Sequence, residues 1–218
     1  MSYPEDILSR IFRKDDNVSP DQLLYPKKEE KEEEEEDDTL IPQIDDIVQT
    51  NIFNVMINRR SQRKFENNKQ VEEWKIEMIF AAADTAPTAG GFQGFEIYHV
   101  KSPEIKMKLV LAANKQPYVN APVVLVFCMN QSRVEMNFSD HILKKFSMQD
   151  ATLAAAYSQL AAHALGLSSV WIGMIDEEKV MQALGTNLVP SSILCLGYPQ
   201  KILQPKPKRN LLELIHKI

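Results

Sequence analysis

Cysteine is scarce in this chain, with two among 218 residues, and glycine is thin, with seven. Neither cysteine belongs to a CxxC pair or neighbours a histidine, which excludes the common zinc-ribbon and thioredoxin-type patterns. The four histidines are scattered at 99, 141, 163 and 216 and fit no metal-ligand spacing. No apolar run approaches the ~20 residues a membrane-spanning helix needs, so no membrane partner is expected. The opening MSYPEDILSR lacks the basic-then-apolar form of a secretory signal. Together with cysteines placed in apolar runs (VLVFCM, ILCLGY), these absences predict residence in a reducing cytoplasm. Also absent are GxGxxG after a strand, GxxxxGK, GxSxG and HExxH, which disfavours a Rossmann turn, a P-loop, a serine hydrolase elbow and a zincin.

Positive charge is short overall. The formal net charge is −5, which argues against a nucleic-acid partner. The acidity is local, however. KKEEKEEEEEDD, residues 27–38, holds nine acidic and three basic residues, and the remaining 206 sum to about +1. Such a run repels itself and buries nothing. The expected division is therefore an acidic extension, 1–40, ahead of one folded domain, 41–218. At 44% hydrophobic, the chain has enough apolar content for one sizeable core.

From Gln43 onward the periodicity alternates. Apolar positions at helical spacing run from 44 to 56, and QVEEWKIEMIFAAADTA (70–86) predicts a second helix with an acidic first turn. APTAGGFQG (86–94) reads as a loop, FEIYHV as a strand, and SPEIKMKLVLAAN as a helix with a Ser-Pro start. APVVLVFCMN is apolar throughout, as a strand covered on both faces should be. MQDATLAAAYSQLAAHALGL (148–167) predicts a long helix, apolar around much of its circumference and suited to several partners, another subunit included. SSVWIGMI, DEEKVMQAL and SSILCLGYP continue as strand, helix and strand, and PKPKRNLLELIHKI ends in a short amphipathic helix. Buried strands alternating with helices predict an α/β or α+β domain with helices on both faces of one sheet.

Four stretches could carry chemistry. NRRSQRKFEN (58–67) gathers Arg59, Arg60, Ser61, Arg63 and Lys64. A second basic cluster, Lys206, Lys208 and Arg209, follows a core strand and is spaced by prolines that keep it extended. A phosphate needs two or more cations plus neutral donors, and arginine offers a bidentate fork. Phosphate ligation by both clusters and independent surface charge are the alternatives here. In the 86–94 loop, Gly90, Gly91 and Gly94 permit close approach of backbone to a planar ligand, and Gln93 offers an amide. Gly173, inside a strand pattern, marks a bulge or a close approach.

In order and spacing, these stretches resemble the nitroreductase-like flavoproteins over residues 43–215. The family's Arg-Arg-Ser motif, with a basic residue two places on and then an aromatic, is matched by Arg59, Arg60, Ser61, Arg63 and Phe65. Pro87, Thr88 and Gln93 match the Pro-Ser…Gln-Pro-Trp loop in position, and Phe95 stands for its tryptophan. Gly91 and Gly94 depart from the asparagine and proline of that motif. Asn114 lies ahead of Asn120-Ala121-Pro122 as the family's asparagine does. GLSSVWIG and LGYPQKILQPKPKR resemble the family's Trp-Ile-Gly and Leu-Gly-Tyr-Pro strands.

What the resemblance implies is a nitroreductase-like α+β fold with a central, mostly antiparallel sheet flanked by helices. It further implies a homodimer with FMN at the interface. Arg59, Arg60, Ser61 and Arg63 would line FMN from phosphate to pyrimidine edge, joined at the phosphate by Arg209 and Lys208. Pro87, Thr88, Ala89 and Gly91 would come from the partner chain, and Asn114, Ile172 and Gly173 would meet the flavin. NADH or NADPH would supply hydride, passed on to a nitroaromatic, quinone or similar acceptor. No catalytic acid, base or nucleophile is expected among the side chains, because the flavin carries the chemistry. A specialised member (flavin-destroying, dehalogenating or azoline-oxidising) and a non-enzymatic flavin-binding protein remain alternatives. The former would announce itself by an added lid, and only residues 131–148 separate the buried strand from the long helix.

Overall fold

The computed structural model describes residues 52–135, 137–203 and 210–218. The acidic run and the boundary expected at 40/41 lie outside them. In chain order the elements are α1 (Ile52–Asn58), α2 (Glu73–Asp84), β1 (Phe95–His99), α3 (Pro103–Ala112), β2 (Val123–Met129), α4 (Asp140–Ala164), β3 (Ser168–Ile172), α5 (Glu177–Leu184) and β4 (Pro190–Gly197). The four strands form one sheet in the order β1-β2-β4-β3, antiparallel throughout.

All seven residues of β2 are buried. Alternation sends Val124, Val126 and Cys128 into one core and Val123, Leu125 and Phe127 into another. The first core is closed by Leu109, Val110 and Ala112 of α3 and Val180 of α5. The second is closed by Ile76, Ile79 and Ala83 of α2 and by four alanines of α4, Ala151, Ala154, Ala155 and Ala162. Helices thus cover both faces of the sheet. The alanines let α4 lie close enough to pack against all four strands.

Local chemistry sets the helix ends. Ser102 Oγ accepts from the Ile105 N–H at 3.4 Å, with Pro103 as the first helical residue. Asp176 Oδ1 accepts from the Lys179 N–H at 3.2 Å to start α5, and Gly185 ends it in a left-handed turn at φ 66°. Both cysteines are buried and free, and burial pushes their thiols up to about 12. They are inert packing residues at physiological pH.

Two expectations need correction. The long helix begins at Asp140, not Met148. Ser139, extended at φ −66° and ψ 153°, precedes it, and the lysine-bearing HILKKF turns are helical before the alanine-rich part begins. The non-helical connection after β2 is therefore shorter than 131–148, and Phe138 and Phe146 meet edge to face, 5.8 Å apart, at the front of α4. The terminal amphipathic helix is a single 3-10 turn, Leu211–Leu214.

Phe127 of β2 is fully buried in the core closed by α2 and α4. Phe127→Ala should cost about 3–5 kcal/mol through lost burial and the cavity left behind. Urea denaturation followed by far-UV dichroism reads this directly. A loss under about 1 kcal/mol would mean that the core collapses around the site.

Candidate functional site

The basic segment is held by main-chain bonds to distant parts of the sheet. Arg59 still donates its N–H to Val55 O (2.9 Å) as the last turn of α1 closes. The chain then extends. Ser61 pairs with Ser169 in a parallel bridge, and the Gln62 N–H donates to Ser169 O at 2.8 Å. Further on, Phe65 pairs with Pro199, the Glu66 N–H donates to Tyr198 O (2.9 Å), and the Gln200 N–H donates to Lys64 O (3.2 Å). Two amide side chains add to this. Gln62 Nε2 donates to the Lys201 carbonyl and Gln200 Nε2 to Phe65 O at 2.9 Å. Gln62 and Phe65 point inward, while Ser61, Arg63 and Lys64 stay exposed.

Arg59 and Arg60 are half-buried side by side. Burial, and then the neighbouring Arg60, holds the Arg59 guanidinium below its usual range. Arg60 Nη1 donates to the Arg59 carbonyl at 2.6 Å, but its Nε is buried and has no partner among the described residues. His163, in the last turn of α4, joins them. Burial, then Arg59 and Arg60, pushes its imidazole down from the ordinary histidine value. Arg60, Gln62, His163 and Ser168 line a cavity of about 190 Å³ with Leu167 and Ile202. Among the described residues, no carboxylate pairs with Arg59, Arg60 or Arg63. Arg60 faces this cavity, with Arg59 beside it in sequence and no carboxylate of the described residues to balance either, so the segment favours an anion.

Arg63 leads to the other end of β3. Its guanidinium lies 5.7 Å from the ring centre of Tyr118. Tyr118 follows a turn in which Asn114 and Lys115 are both left-handed, at φ 55° and 59°. Asn114 Nδ2 donates to Met174 O at 3.5 Å, just past Ile172 and Gly173. Ile172 is buried, whereas Gly173 is exposed, with open space where a Cβ would stand. Gly173 is four residues beyond Ser169, roughly 13 Å along an extended strand.

The 86–94 loop is elsewhere in the chain, against the middle of α4. Gly90, Gly91 and Gln93 all have positive φ, at 58°, 75° and 52°. Thr88 Oγ1 accepts from the Gln93 N–H (3.2 Å), and Gln93 Nε2 donates to Asp84 Oδ1 (2.6 Å) and Asp84 O (3.1 Å). The buried Asp150 carboxylate accepts from the Ala89 and Gly94 N–H groups, each at 3.0 Å. Pro87, Thr88, Ala89, Phe146, Gln149 and Leu153 border an open cavity of about 560 Å³. No hydrogen bond or ion pair among the described residues joins this loop to the arginine segment. Lys208 and Arg209 lie outside the described residues.

Sequence reasoning did not single out Gln62, Tyr118, Asp150 or His163. Gln62 stands inside the basic motif, and Asp150 is a lone acid on the apolar stretch of a helix, so both left a trace. Nothing local marks Tyr118 or His163. Among the described residues no group of three His, Cys, Asp or Glu side chains could hold a metal ion, and no helix is long and apolar enough to cross a membrane.

Comparison with known proteins bears on this arrangement. The model of the Nitroreductase family matches residues 56–122 and 112–198. An FMN reductase (NADPH) of Bacillus subtilis is 30% identical over 174 residues, covering 72% of this chain and 70% of that protein. The NADPH:FMN oxidoreductase of Vibrio harveyi, solved in complex with NAD+, superposes with a TM-score of 0.72 at 26% identity, covering 77% of each chain. A B. subtilis nitroreductase, NfrA1, superposes at 0.71 with 28% identity, over 77% of this chain and 74% of that one.

The crowding of His163 has a measurable sign. Folding lowers its pKa, and that of His99, which is likewise pushed down by burial first and by Lys101. The unfolded chain therefore binds more protons just below the ordinary histidine value of about 6.5, so stability falls as pH drops through that region. Without added phosphate or flavin, the urea midpoint should decrease between pH 7.5 and 5.5, and His163→Gln should flatten part of that slope. A midpoint that rises on acidification, or a slope indifferent to His163→Gln, would contradict the placement of His163 against the two arginines.

Proposed function

The chain belongs to the nitroreductase family, and from that premise we propose that it is an FMN-dependent oxidoreductase that takes hydride from NADH or NADPH. The observation that carries this reading is the segment of Arg59, Arg60, Ser61 and Arg63. Main-chain bonds fix it against β3, and among the described residues no carboxylate balances it and one buried guanidinium nitrogen lacks an acceptor. A phosphate monoester supplies what this cluster lacks, namely charge and several acceptor oxygens for bidentate arginine forks. The residues present fit FMN.

Arg59, Arg60 and Ser61 would hold the phosphate, with Lys208 and Arg209 as further ligands. Arg63 would stand at the pyrimidine edge, where a fixed cation stabilises the negative charge that reduction places there. The backbone at Ile172 and Gly173 would face the ring, since Gly173 leaves open space above it, and Asn114 would support that strand end. Bound FMN supplies the hydride chemistry itself.

Pro87, Thr88, Ala89, Gly91 and Gln93 complete the site, in this reading, from a second copy of the chain. Support comes from the separation of the loop from the arginine segment within one chain. The face of α1 that leaves Ile52, Met56 and Ile57 about half exposed (51%, 49% and 61%) supports it too. An apolar face of this kind suits a homodimer interface. Gln93 commits its amide nitrogen to Asp84 and keeps its carbonyl oxygen for another partner. The acceptor would be a small, flat, electron-poor molecule such as a nitroaromatic or quinone, in the reducing cytoplasm that two buried free thiols favour.

Titration with FMN and FAD, followed in the visible range, tests this reading. FMN should bind more tightly, and the loaded protein should pass electrons from NADH or NADPH to a nitroaromatic or quinone faster than free FMN does. Replacing both Arg59 and Arg60 by alanine should raise the FMN dissociation constant at least ten-fold, each charged hydrogen bond contributing about 1.5–3 kcal/mol. Equal affinity for FAD, or no flavin binding, would refute the assignment. The boundary at 40/41 belongs to the same proposal. Removing residues 1–40 should leave FMN affinity and melting temperature unchanged, because a run of like charge buries no apolar area. Loss of flavin from the truncated protein would show that the extension contributes to the site.

A further inference from the structure

Asp150 is a carboxylate in the wrong place for one. Only 2% of its surface is exposed, it sits among the buried alanines of α4, and no lysine or arginine of the described residues pairs with it. Burying an unpaired charge is costly unless hydrogen bonds replace its water. Here two main-chain N–H groups do so. Ala89 donates to Oδ1 and Gly94 to Oδ2, each at 3.0 Å. One side chain therefore grips both ends of a loop of positive-φ residues, Gly90, Gly91 and Gln93.

The grip accounts for glycine at 94. A Cβ there would meet Val134 Cγ2 at 2.8 Å and both Asp150 Oδ2 and Ser147 Oγ at 3.1 Å. Proline is excluded twice, because it has a ring and no N–H. Only glycine lets the main chain come close enough to Asp150 and still donate.

We propose that Asp150 is a positioning residue of the flavin site: its carboxylate, by holding the Ala89 and Gly94 N–H groups, sets residues 89–94 in the one conformation that meets the cofactor of a second copy. This rests on the proposed role of that loop. Positive-φ residues have many alternative states, and a loop that visits them binds more weakly in proportion to the time spent away. Neutralising Asp150 breaks the grip chemically, because an asparagine has one acceptor oxygen for two donors and turns an NH2 group toward an N–H.

The test uses the full chain with three readouts: FMN dissociation constant, amide exchange of residues 88–94 without flavin, and melting temperature. Asp150→Asn should raise the FMN dissociation constant about ten-fold and speed exchange at Ala89 and Gly94 selectively. Because Asp150→Asn also alters a helix in the core, Ala89→Pro serves as a second variant. Thr88 is already extended (φ −132°, ψ 159°), as a residue before proline must be, and Ala89 opens the 3-10 turn, where proline is tolerated. Ala89→Pro removes one donor and leaves the carboxylate, so its FMN dissociation constant should rise as well. In both variants the loss of FMN affinity should come with faster exchange confined to residues 88–94 and unchanged exchange along α4, a split that a general loss of structure would not produce. Unchanged FMN affinity in both variants, or faster exchange spread over all of α4, overturns the proposal. Failure of the unaltered chain to bind FMN would instead overturn the functional reading and this inference with it.

Discussion

Val123–Met129 is paired on both edges, to β1 and to β4, and covered on both faces. Seven consecutive side chains must therefore be apolar whichever way they point, and each face needs its own layer of helices. This constraint makes the three layers. It places α3 and α5 on one side and α2 and α4 on the other. It also leaves β3 at the edge of the sheet, and the edge is where the basic segment attaches. A sheet edge is a row of unpaired donors and acceptors. In this chain the Ser169 carbonyl on that edge holds Gln62, and so fixes where the arginines stand.

The arginine segment shows how a charged surface becomes a site. Lone arginines in water are solvated and cost nothing to leave unpaired. Arg59 and Arg60 are half-buried and adjacent, and one Nε is sealed from water. Their mutual repulsion is borne by backbone bonds to Ser169 and Tyr198 and by the Gln62 amide, which donates to the Lys201 carbonyl, rather than by a local carboxylate. Folding thus concentrates positive charge in a protein whose net charge is negative. An anionic cofactor would relieve that repulsion, so the free energy held in the segment favours binding.

Much of the fold was legible from short-range chemistry. Ser102-Pro103-Glu104 starts a helix for reasons contained in those residues, and VVLVFCM has no polar face for any environment other than a doubly covered strand. The start of α4 was less legible, because Asp140–Lys145 pairs its apolar residues with lysines and histidine, and the eye moves to the alanines. At the site the basic motif was plain, but its partners were not. Gln62 finds a carbonyl 139 residues away and Gln200 finds one 135 residues away, and no window of sequence contains such pairs. Gln93 was read as offering an amide, and its nitrogen donates to Asp84. The two glycine departures from the family motif also separate on inspection. Gly91 has open space around it, whereas Gly94 is required by Asp150.

Those long separations set an order of events when the chain is made. Val123 pairs with Leu196 and Cys128 with Pro190, so β2 is synthesised long before its second edge is covered. At ~5–20 residues per second, the 139 residues from Gln62 to Lys201 take on the order of ten seconds to appear. Within that interval, from the completion of β2 at Met129 until Pro190 appears, an uncharged, β-branched strand has a bare edge, the form most prone to pair with another chain. The arginine segment is made first and anchored last. Flavin cannot act as a template for the early chain, and the sheet must close before there is a place for it.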